Sequence, residues 1–478
     1  MCAVHAGELI LLWWLLFSHL ASCEQLASQE VMATPAAMMK ATELDALFQL
    51  IESLLEVPTN FRASHPRLCT QDLLQGMECE RGGDKLMHVT RLQFGSGMRK
   101  RCKAAATLPS DAIGQLPFLK TLLVSECIMN QRSTIPTKLT SSLQELSLRS
   151  NKALVGSIPA ELGQLRNLQV LSLAQNDLRG DIPEVLGDLQ MLEHLDLSYN
   201  MLSGKLPPML GQLPRLSILD FSGNALQGSI PASFSSLKSL QKLDLSSNQL
   251  KGTIPMELGN LANLQFLALS QNGFVGPLPS SLEKLSNLQY FLLDSNPIHG
   301  SLPSYISRWT QLRELNLANS YYAGPIPADL GKTLFNVSVI NLSNNKLQGT
   351  IPPSLENMQH ISYLNLSQNL LTGAVPFSER FLQKLGNRLD LHGNPALCID
   401  AASISFSDAL LAQQIHPCGS NNKPGQLAAQ HLHQGSPSTV SNSARAGVPP
   451  SLGFTLTYSL RVLYFLLAYG LFLVFLPY

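Results

Sequence analysis

The sequence predicts an α/β solenoid in which short strands form a parallel sheet on a concave face, closed at both ends by disulfide-stapled caps. Three observations predict it: leucines and asparagines recur at nearly constant spacing, a glycine–proline block recurs with the same period, and most cysteines flank the repeating region. A chain of 478 residues exceeds what one hydrophobic core usually supports. An array of stacked repeats is therefore the expected architecture.

The repeat follows the pattern L-x-x-L-x-L-x-x-N, and most steps are 24 residues long. Its asparagines are Asn151, Asn176, Asn200, Asn224, Asn248, Asn272, Asn296, Asn345 and Asn369. Ser320 stands where the series requires another asparagine, Cys127 lies one step earlier, and Asn394 lies one step later. This period defines a leucine-rich repeat, whose units must stack because none covers its apolar edge alone. We expect Leu146, Leu148 and their equivalents to point inward, and each asparagine to bond the backbone of the adjacent coil.

A second block, G-x-I/L-P, recurs four or five residues after the positions from Asn151 to Asn369, as in Gly156 to Pro159. Glycine suits a tight bend, and proline fixes the extended piece that follows. The block resembles the plant extracellular class of leucine-rich repeats. That resemblance implies a plant source, a twisted superhelix and a second short sheet.

The region before the repeats divides into two parts. Residues 1–23 combine a short apolar run with a small-residue cleavage site, which is typical of a secretory signal peptide. Residues 24–117 form the predicted N-terminal cap, whose first residues we expect to be mobile up to 42. Apolar residues at helical spacing over 43–55 predict a capping helix.

Cysteine usage agrees with an oxidising compartment. Removal of the signal peptide leaves six of the eight cysteines, and six cysteines permit fifteen pairings. A sequence-local scheme would staple both ends of the array. Its pairs are Cys69 with Cys79, Cys102 with Cys127, and Cys398 with Cys418.

Three segments are predicted beyond the repeats, which we place at 118–375. They are a C-terminal cap at 376–418, a flexible stalk at 419–452 and a hydrophobic tail at 453–478. Small residues at Asn442 and Ser443, followed by a spacer and the tail, favour a GPI-anchor signal with attachment at one of these two residues. A single transmembrane helix beginning near Arg461 is the alternative. Because the sequence stops at the tail, we expect no cytoplasmic kinase domain.

Three local motifs lie at the ends of the array: Ser125 to Cys127, Arg149 to Gly156, and Val375 to Cys398. They resemble the corresponding segments of the plant Piriformospora indica-insensitive and Too Many Mouths group of receptor-like proteins. The similarity spans roughly residues 45–400. It implies a cell-surface protein without a kinase, which works beside leucine-rich-repeat receptor kinases in perceiving peptides or microbes. The segment between Cys69 and Cys79 lacks the tryptophan usual in such caps, which puts its packing in question.

Side chains alternate across a strand, so the x positions beside each inward leucine are expected to face solvent. The candidate ligand-binding residues on this face are His194, Asp196, Asp220, Asp244, Phe266, Tyr290, Leu292 and Glu314. The three aspartates form a predicted acidic strip, and Phe266, Tyr290 and Leu292 form an adjacent exposed apolar patch of the kind that anchors interfaces. The alternative is that Leu-Asp-Leu-Ser is merely the common form of such strands.

Glycosylation motifs limit which part of the concave face a ligand can reach. Acceptor sequences begin at Asn336, Asn341 and Asn365, and the last two belong to the concave face. Glycans there would cover its C-terminal part, so we expect a ligand to use the stretch from His194 to Glu314.

Composition excludes several functions. Lys+Arg and Asp+Glu are both 33, so no net charge draws the chain to nucleic acid. We find no phosphate-binding loop, metal-ligand spacing or nucleophile elbow, and therefore expect no enzymatic activity, cofactor or metal. The predicted function is a plasma-membrane receptor-like protein of plant signalling or defence, binding a peptide or a receptor-kinase ectodomain on the extracellular side. The alternative is an inhibitor of cell-wall-degrading hydrolases.

Overall fold

The computed structural model describes residues 38–69, 74–400, 410 and 413–419. The predicted signal peptide, nearly all of the predicted stalk, the predicted tail, and Asn442 and Ser443 lie outside these residues. Within them, no helix has the length and apolar character needed to cross a membrane.

A sheet of fourteen strands runs through the repeats, with its strands in sequence order. The first two strands are antiparallel, and all later neighbours are parallel. The strands are Met77–Arg81, Met87–Gly95, Thr121–Ser125, Glu145–Ser147, Val170–Ser172, His194–Asp196, Ile218–Asp220, Lys242–Asp244, Phe266–Ala268, Tyr290–Leu292, Glu314–Asn316, Val339–Asn341, Tyr363–Asn365 and Leu389–Asp390. The predicted leucine-rich-repeat fold is therefore confirmed.

The leucines of the repeat form one continuous core, as predicted. Leu146, Leu148, Leu195 and Leu197 are all 0% exposed. Each repeat places one such pair below the sheet, and the pairs from successive coils stack. Burial of these side chains, which no single coil could achieve, holds the array together.

Short strands outside the main sheet form three smaller sheets, whereas the plant-type block implied one second short sheet. They are Val155–Gly156, Asp177–Asp181, Met201–Ser203, Gln227–Gly228, Gln249–Gly252, Gly273–Phe274, His299–Ser301, Tyr321–Pro325, Lys346–Gly349, Leu370–Ala374, Ala396–Ile399 and His416–Pro417. The block's glycines bend the chain here, with φ from 75° at Gly204 to 111° at Gly300. This left-handed region favours glycine.

The prolines of the block precede single turns of 3-10 helix. These turns are Ala160–Gln164, Glu184–Asp188, Pro208–Gln212, Ala232–Ser236, Met256–Asn260, Ser280–Lys284, Ser304–Arg308 and Pro353–Asn357. A short α-helix, Leu330–Thr333, replaces the turn in one repeat. Another 3-10 turn, Gly386–Arg388, leads into the last strand of the main sheet.

The asparagines bond adjacent coils as predicted. Asn200 accepts a hydrogen bond from the backbone N–H of Leu178 (3.2 Å) and donates to the carbonyls of Leu173 (2.9 Å) and Leu197 (3.0 Å). Within the described residues, the shorter Ser320 side chain makes no bond to a neighbouring coil, and donates to the carbonyl of Ala318 at 3.3 Å. One rung of the ladder is therefore weakened.

The residue before each asparagine position adopts a left-handed backbone, which we did not predict. Positive φ occurs at Glu126, Ser150, Gln175, Tyr199, Gly223, Ser247, Gln271, Ser295, Asn319, Asn344, Gln368 and Gly393. The turn directs the N–H of Tyr199 to the carbonyl of Ser222 in the next coil (2.8 Å). Glycines at only two of the twelve positions, 223 and 393, were the available sequence signal.

The two caps contain the helices Ala41–Leu54, Phe61–Ser64, Ser110–Gly114 and Glu379–Leu385. The helix predicted over 43–55 runs over Ala41–Leu54, so residues 41 and 42 belong to it and not to the segment that we expected to be mobile. The disulfides are Cys69–Cys79, Cys102–Cys127 and Cys398–Cys418, which confirms the sequence-local scheme. A disulfide-linked cap therefore lies at each end of the hydrophobic core of the repeats.

Candidate functional site: the strand face

We call the solvent side of the main sheet, from His194 to Asn316, the strand face. Its strands pair without any shift in register, so each residue lies beside its counterpart 24 positions away. One column runs His194, Ile218, Lys242, Phe266, Tyr290 and Glu314. A second runs Asp196, Asp220, Asp244, Ala268, Leu292 and Asn316. All eight candidate residues therefore lie on one continuous surface.

The predicted acidic strip is aligned, but it is not simply exposed. Asp196 is only 8% exposed, contrary to the expectation that it faces solvent, while Asp220 and Asp244 are half-buried. In each strand one carboxylate oxygen accepts bonds from the serine two residues later: Asp244 takes the N–H (3.1 Å) and the hydroxyl (2.6 Å) of Ser246. Leu-Asp-Leu-Ser in two strands and Leu-Asp-Phe-Ser at Asp220 thus leave the second carboxylate oxygen for other contacts.

Lys242 divides the strip. Its ammonium group donates to Asp220 at 2.7 Å and lies 5.4 Å from the centre of the Phe266 ring. Burial would raise the pKa of Asp220, but Lys242 and Ser222 bring it below its ordinary value. Burial raises the pKa of Asp244 to about 6, with Asp220 adding to the rise and Lys242 opposing it. The lysine therefore neutralises the middle of the strip.

Phe266, Tyr290 and Leu292 form an apolar ledge next to Lys242. The rings of Phe266 and Tyr290 are 5.7 Å apart and inclined at 41°. All three side chains are half-buried, so they are less exposed than the sequence suggested. Rings that are held in place by neighbours lose little freedom when a partner covers them, which suits them to anchor an interface.

Glu314 closes the ledge on its C-terminal side, paired in register with Tyr290. It is half-buried, and its carboxylate makes no hydrogen bond or ion pair among the described residues. Burial raises its pKa to about 7, and the nearby Asp294 adds to the rise. Asp294, which we had not selected, accepts bonds from Ser270 (2.5 Å) and Asn316 (2.9 Å), and burial raises its pKa.

His194 lies at the other end of the face. It is half-buried, and burial lowers its pKa although Asp196 opposes the change. The neutral imidazole is therefore favoured at physiological pH. His194 does not offset the negative charge of the strip.

The glycosylation candidates occupy two kinds of position. Asn341 and Asn365 continue the second column beyond Asn316, and each accepts bonds from the serine two residues later, as the aspartates do. Asn336 is exposed outside the sheet and donates to the carbonyl of Thr310 at 3.1 Å. Asn336 is therefore the most accessible of the three, and glycans on the other two would cover the sheet.

No chemistry of a metal site is evident in the described part of the chain, where no three His, Cys, Asp or Glu side chains are arranged to hold an ion. On the strand face, bonds to nearby side chains are made instead by Asp196, Asp220, Lys242, Asp244 and Asn316.

Comparison with known families identifies the repeats. The family described as Leucine rich repeat matches residues 141–202, 205–250 and 310–371. A second family with the same description matches residues 263–285. These segments contain every candidate residue of the strand face except Tyr290 and Leu292.

Curated relatives come from Arabidopsis thaliana. Receptor like protein 29 is 43% identical over 30% of this chain and 31% of its own length. The protein TOO MANY MOUTHS is 35% identical (29% and 28%), and Piriformospora indica-insensitive protein 2 is 31% identical (31% and 36%). The chain resembles plant leucine-rich-repeat receptor-like proteins. The matches span about a third of the length of these relatives.

Solved structures of plant receptors share the fold. The TDR receptor is 31% identical with a TM-score of 0.57, covering 63% of this chain and 52% of that one. The Arabidopsis receptor kinase HAESA, in complex with the peptide hormone IDA and the co-receptor SERK1, is 34% identical with a TM-score of 0.55 (62% and 48%). The PEPR1–AtPEP1 complex is 29% identical with a TM-score of 0.55 (75% and 49%). The chain therefore has the fold of plant receptor ectodomains.

Proposed function

We propose that this chain is a receptor-like protein of the plant cell surface that binds a peptide or the ectodomain of a leucine-rich-repeat receptor kinase on its strand face. It has no catalytic activity of its own, and it serves signalling or microbe perception. The observation that carries the proposal is the continuous face from His194 to Glu314, which combines an apolar ledge with charged neighbours. The receptor kinase HAESA, which has this fold and is in complex with the peptide hormone IDA, supports it.

The direct test removes the ledge. The full chain with Phe266→Ala, Tyr290→Ala and Leu292→Ala together is expressed in plant cells and captured from intact membranes. We expect a receptor kinase, identified by mass spectrometry, to co-purify with the unaltered chain and to be lost from this variant. Thermal unfolding of the variant must remain cooperative, so that the loss reports binding.

A matched control removes the same kind of side chain elsewhere. Met256, Tyr321 and Leu370 are 64%, 53% and 48% exposed and lie outside the strand face. Their triple alanine variant should retain the partner. Equal retention by both variants would refute the strand face as the binding surface, and recovery of a cell-wall hydrolase in place of a kinase would favour the inhibitor function.

We also propose that a lipid anchor holds the chain at the plasma membrane. The support is the order of small residues, spacer and apolar tail after Asn442. Treating intact cells with a phosphatidylinositol-specific phospholipase should release the chain into the medium. Retention after treatment would favour a transmembrane helix.

Glycosylation belongs to the same proposal. We infer that Asn336, Asn341 and Asn365 carry glycans, which would leave the face from His194 to Glu314 open. Asn336→Gln, Asn341→Gln and Asn365→Gln should each lower the mass by one glycan, and enzymatic deglycosylation should abolish the differences. Absence of any mass change would exclude the corresponding site.

A further inference from the structure

The chemistry at the C-terminal end of the ledge specifies what kind of ligand fits. Phe266 and Tyr290 form an aromatic pair, and the next strand places Glu314 beside Tyr290. The carboxylate of Glu314 has no partner among the described residues, and the carboxylate of Asp294 accepts bonds from Ser270, Ser295 and Asn316. A ligand that covers the ledge therefore brings its next side chain against an unpaired carboxylate.

The charges of the whole face point in the same direction. Asp196, Asp244, Asp294 and Glu314 form no ion pair with a lysine or arginine in the described part of the chain. The single lysine, Lys242, is bonded to Asp220. The face consequently has an excess of negative charge, and it offers no free cation to an acidic ligand. Like charges brought against it would be repelled.

Spacing defines the ligand further. Adjacent strands lie about 4.8 Å apart, so Glu314 lies about 7 Å from the midpoint between the Phe266 and Tyr290 strands. In an extended peptide, residues i and i+2 point to the same side and are also about 7 Å apart. A bulky side chain seated on the ring pair would place residue i+2 over Glu314.

We propose that the ligand of the strand face is an extended peptide segment with a bulky apolar residue on the Phe266–Tyr290 pair and a lysine or arginine two positions away, paired with Glu314. This proposal rests on the proposed function, because it assumes that the face binds a peptide. It adds the charge, spacing and order of the recognised side chains.

The half-buried setting of Glu314 supports this assignment. Burial raises its pKa to about 7, so the free protein stabilises the neutral form of a group that ordinarily ionises near 4.5. A carboxyl group whose pKa is shifted by burial and by a neighbouring charge is a candidate functional residue. A cationic ligand would supply the partner that the protein lacks.

The test uses an array of synthetic nonapeptides of matched length. Each contains one phenylalanine or leucine in a serine–glycine background, with lysine, arginine, glutamate or serine at the next but one position. The array is probed with the unaltered full chain, with Glu314→Gln and with the ledge triple variant. Glu161→Gln, which alters an exposed glutamate on an outer 3-10 turn, is the matched control.

We expect the unaltered chain and Glu161→Gln to bind the lysine and arginine peptides about tenfold more than the serine peptides, as one good charge-assisted bond provides. Glu314→Gln should lose this preference while keeping the preference for the bulky residue. Binding that depends on the ledge but shows no preference for a cation would overturn the inference and leave the proposed function intact. Binding that is unchanged in the triple variant, or no binding above a serine–glycine peptide, would overturn both.

Discussion

Replacing Glu314 with glutamine should stabilise the protein at neutral pH. Burial, aided by Asp294, raises the pKa of Glu314 from 4.5 to about 7. The folded chain therefore binds this proton more tightly than the unfolded chain, so the carboxyl group favours folding below pH 4.5 and this contribution is lost as the pH rises through about 7. Each unit of pKa difference between the folded and unfolded chain corresponds to about 1.4 kcal/mol, so ionised Glu314 lowers the free energy of unfolding at pH 8 by at most about 3 kcal/mol. Because the group is only half-buried and water screens its charge, we expect about 1–2 kcal/mol.

The measurement is urea unfolding of both proteins between pH 4.5 and 8, followed by tryptophan fluorescence. Trp309 is fully buried in the coil that precedes Glu314, and the other two tryptophans lie in the predicted signal peptide. Glu314→Gln should gain stability over the unaltered chain only as the pH rises, and Glu161→Gln should not. Equal free energies of unfolding of the two proteins at pH 8, or a gain in Glu314→Gln that is the same at every pH, would refute the conclusion that ionised Glu314 destabilises the fold.

Three further changes test the array itself. Asn296→Leu should lower the free energy of unfolding in urea by about 2–4 kcal/mol, because it leaves one N–H and three carbonyls without the partners they have at 3.1, 2.9, 3.1 and 3.3 Å. An unchanged midpoint would contradict the role of the asparagines. Ser320→Asn should gain about 1 kcal/mol by restoring the missing rung, and a loss would show that the coil cannot accept the larger side chain. Removing Cys398 and Cys418 together should cost about 3 kcal/mol, since the disulfide spans 20 residues, and hydrogen exchange should speed up in the last coil first. Hydrogen exchange that is faster by the same factor along the whole chain would show that this disulfide does not act locally on the C-terminal cap.

The elements that repeat were predictable from the sequence. A period of 24 residues places the inward leucines, the asparagines and the glycine bends together, because stacking is the only way to bury Leu146 and its equivalents. The left-handed turn was not predictable from residue type, since Tyr199 and Gln175 adopt it against their intrinsic preference. Their conformation is imposed by bonds to the next coil.

The sequence predicted where the candidate surface lies, but not how exposed or how charged its residues are. Alternation along the strands places the eight residues on one face, yet exposure depends on neighbours that are 24 residues away in sequence. Asp196 is buried and Lys242 neutralises Asp220, and both facts follow from packing between coils. Asp294 was missed because it lies after the strand, outside the two columns chosen from alternation.

The unshifted register of the strand face has a consequence for how a ligand is positioned along it. Successive coils advance by about 4.8 Å, whereas an extended peptide advances by about 3.4 Å per residue. Three coils therefore span about the same length as four residues of an extended peptide. A shift by one or two coils leaves the peptide side chains between the side chains of the strand face. A bound peptide cannot slide from one coil to the next without losing its contacts, although every coil has nearly the same backbone. Regular architecture and a unique binding position are thus compatible in this protein.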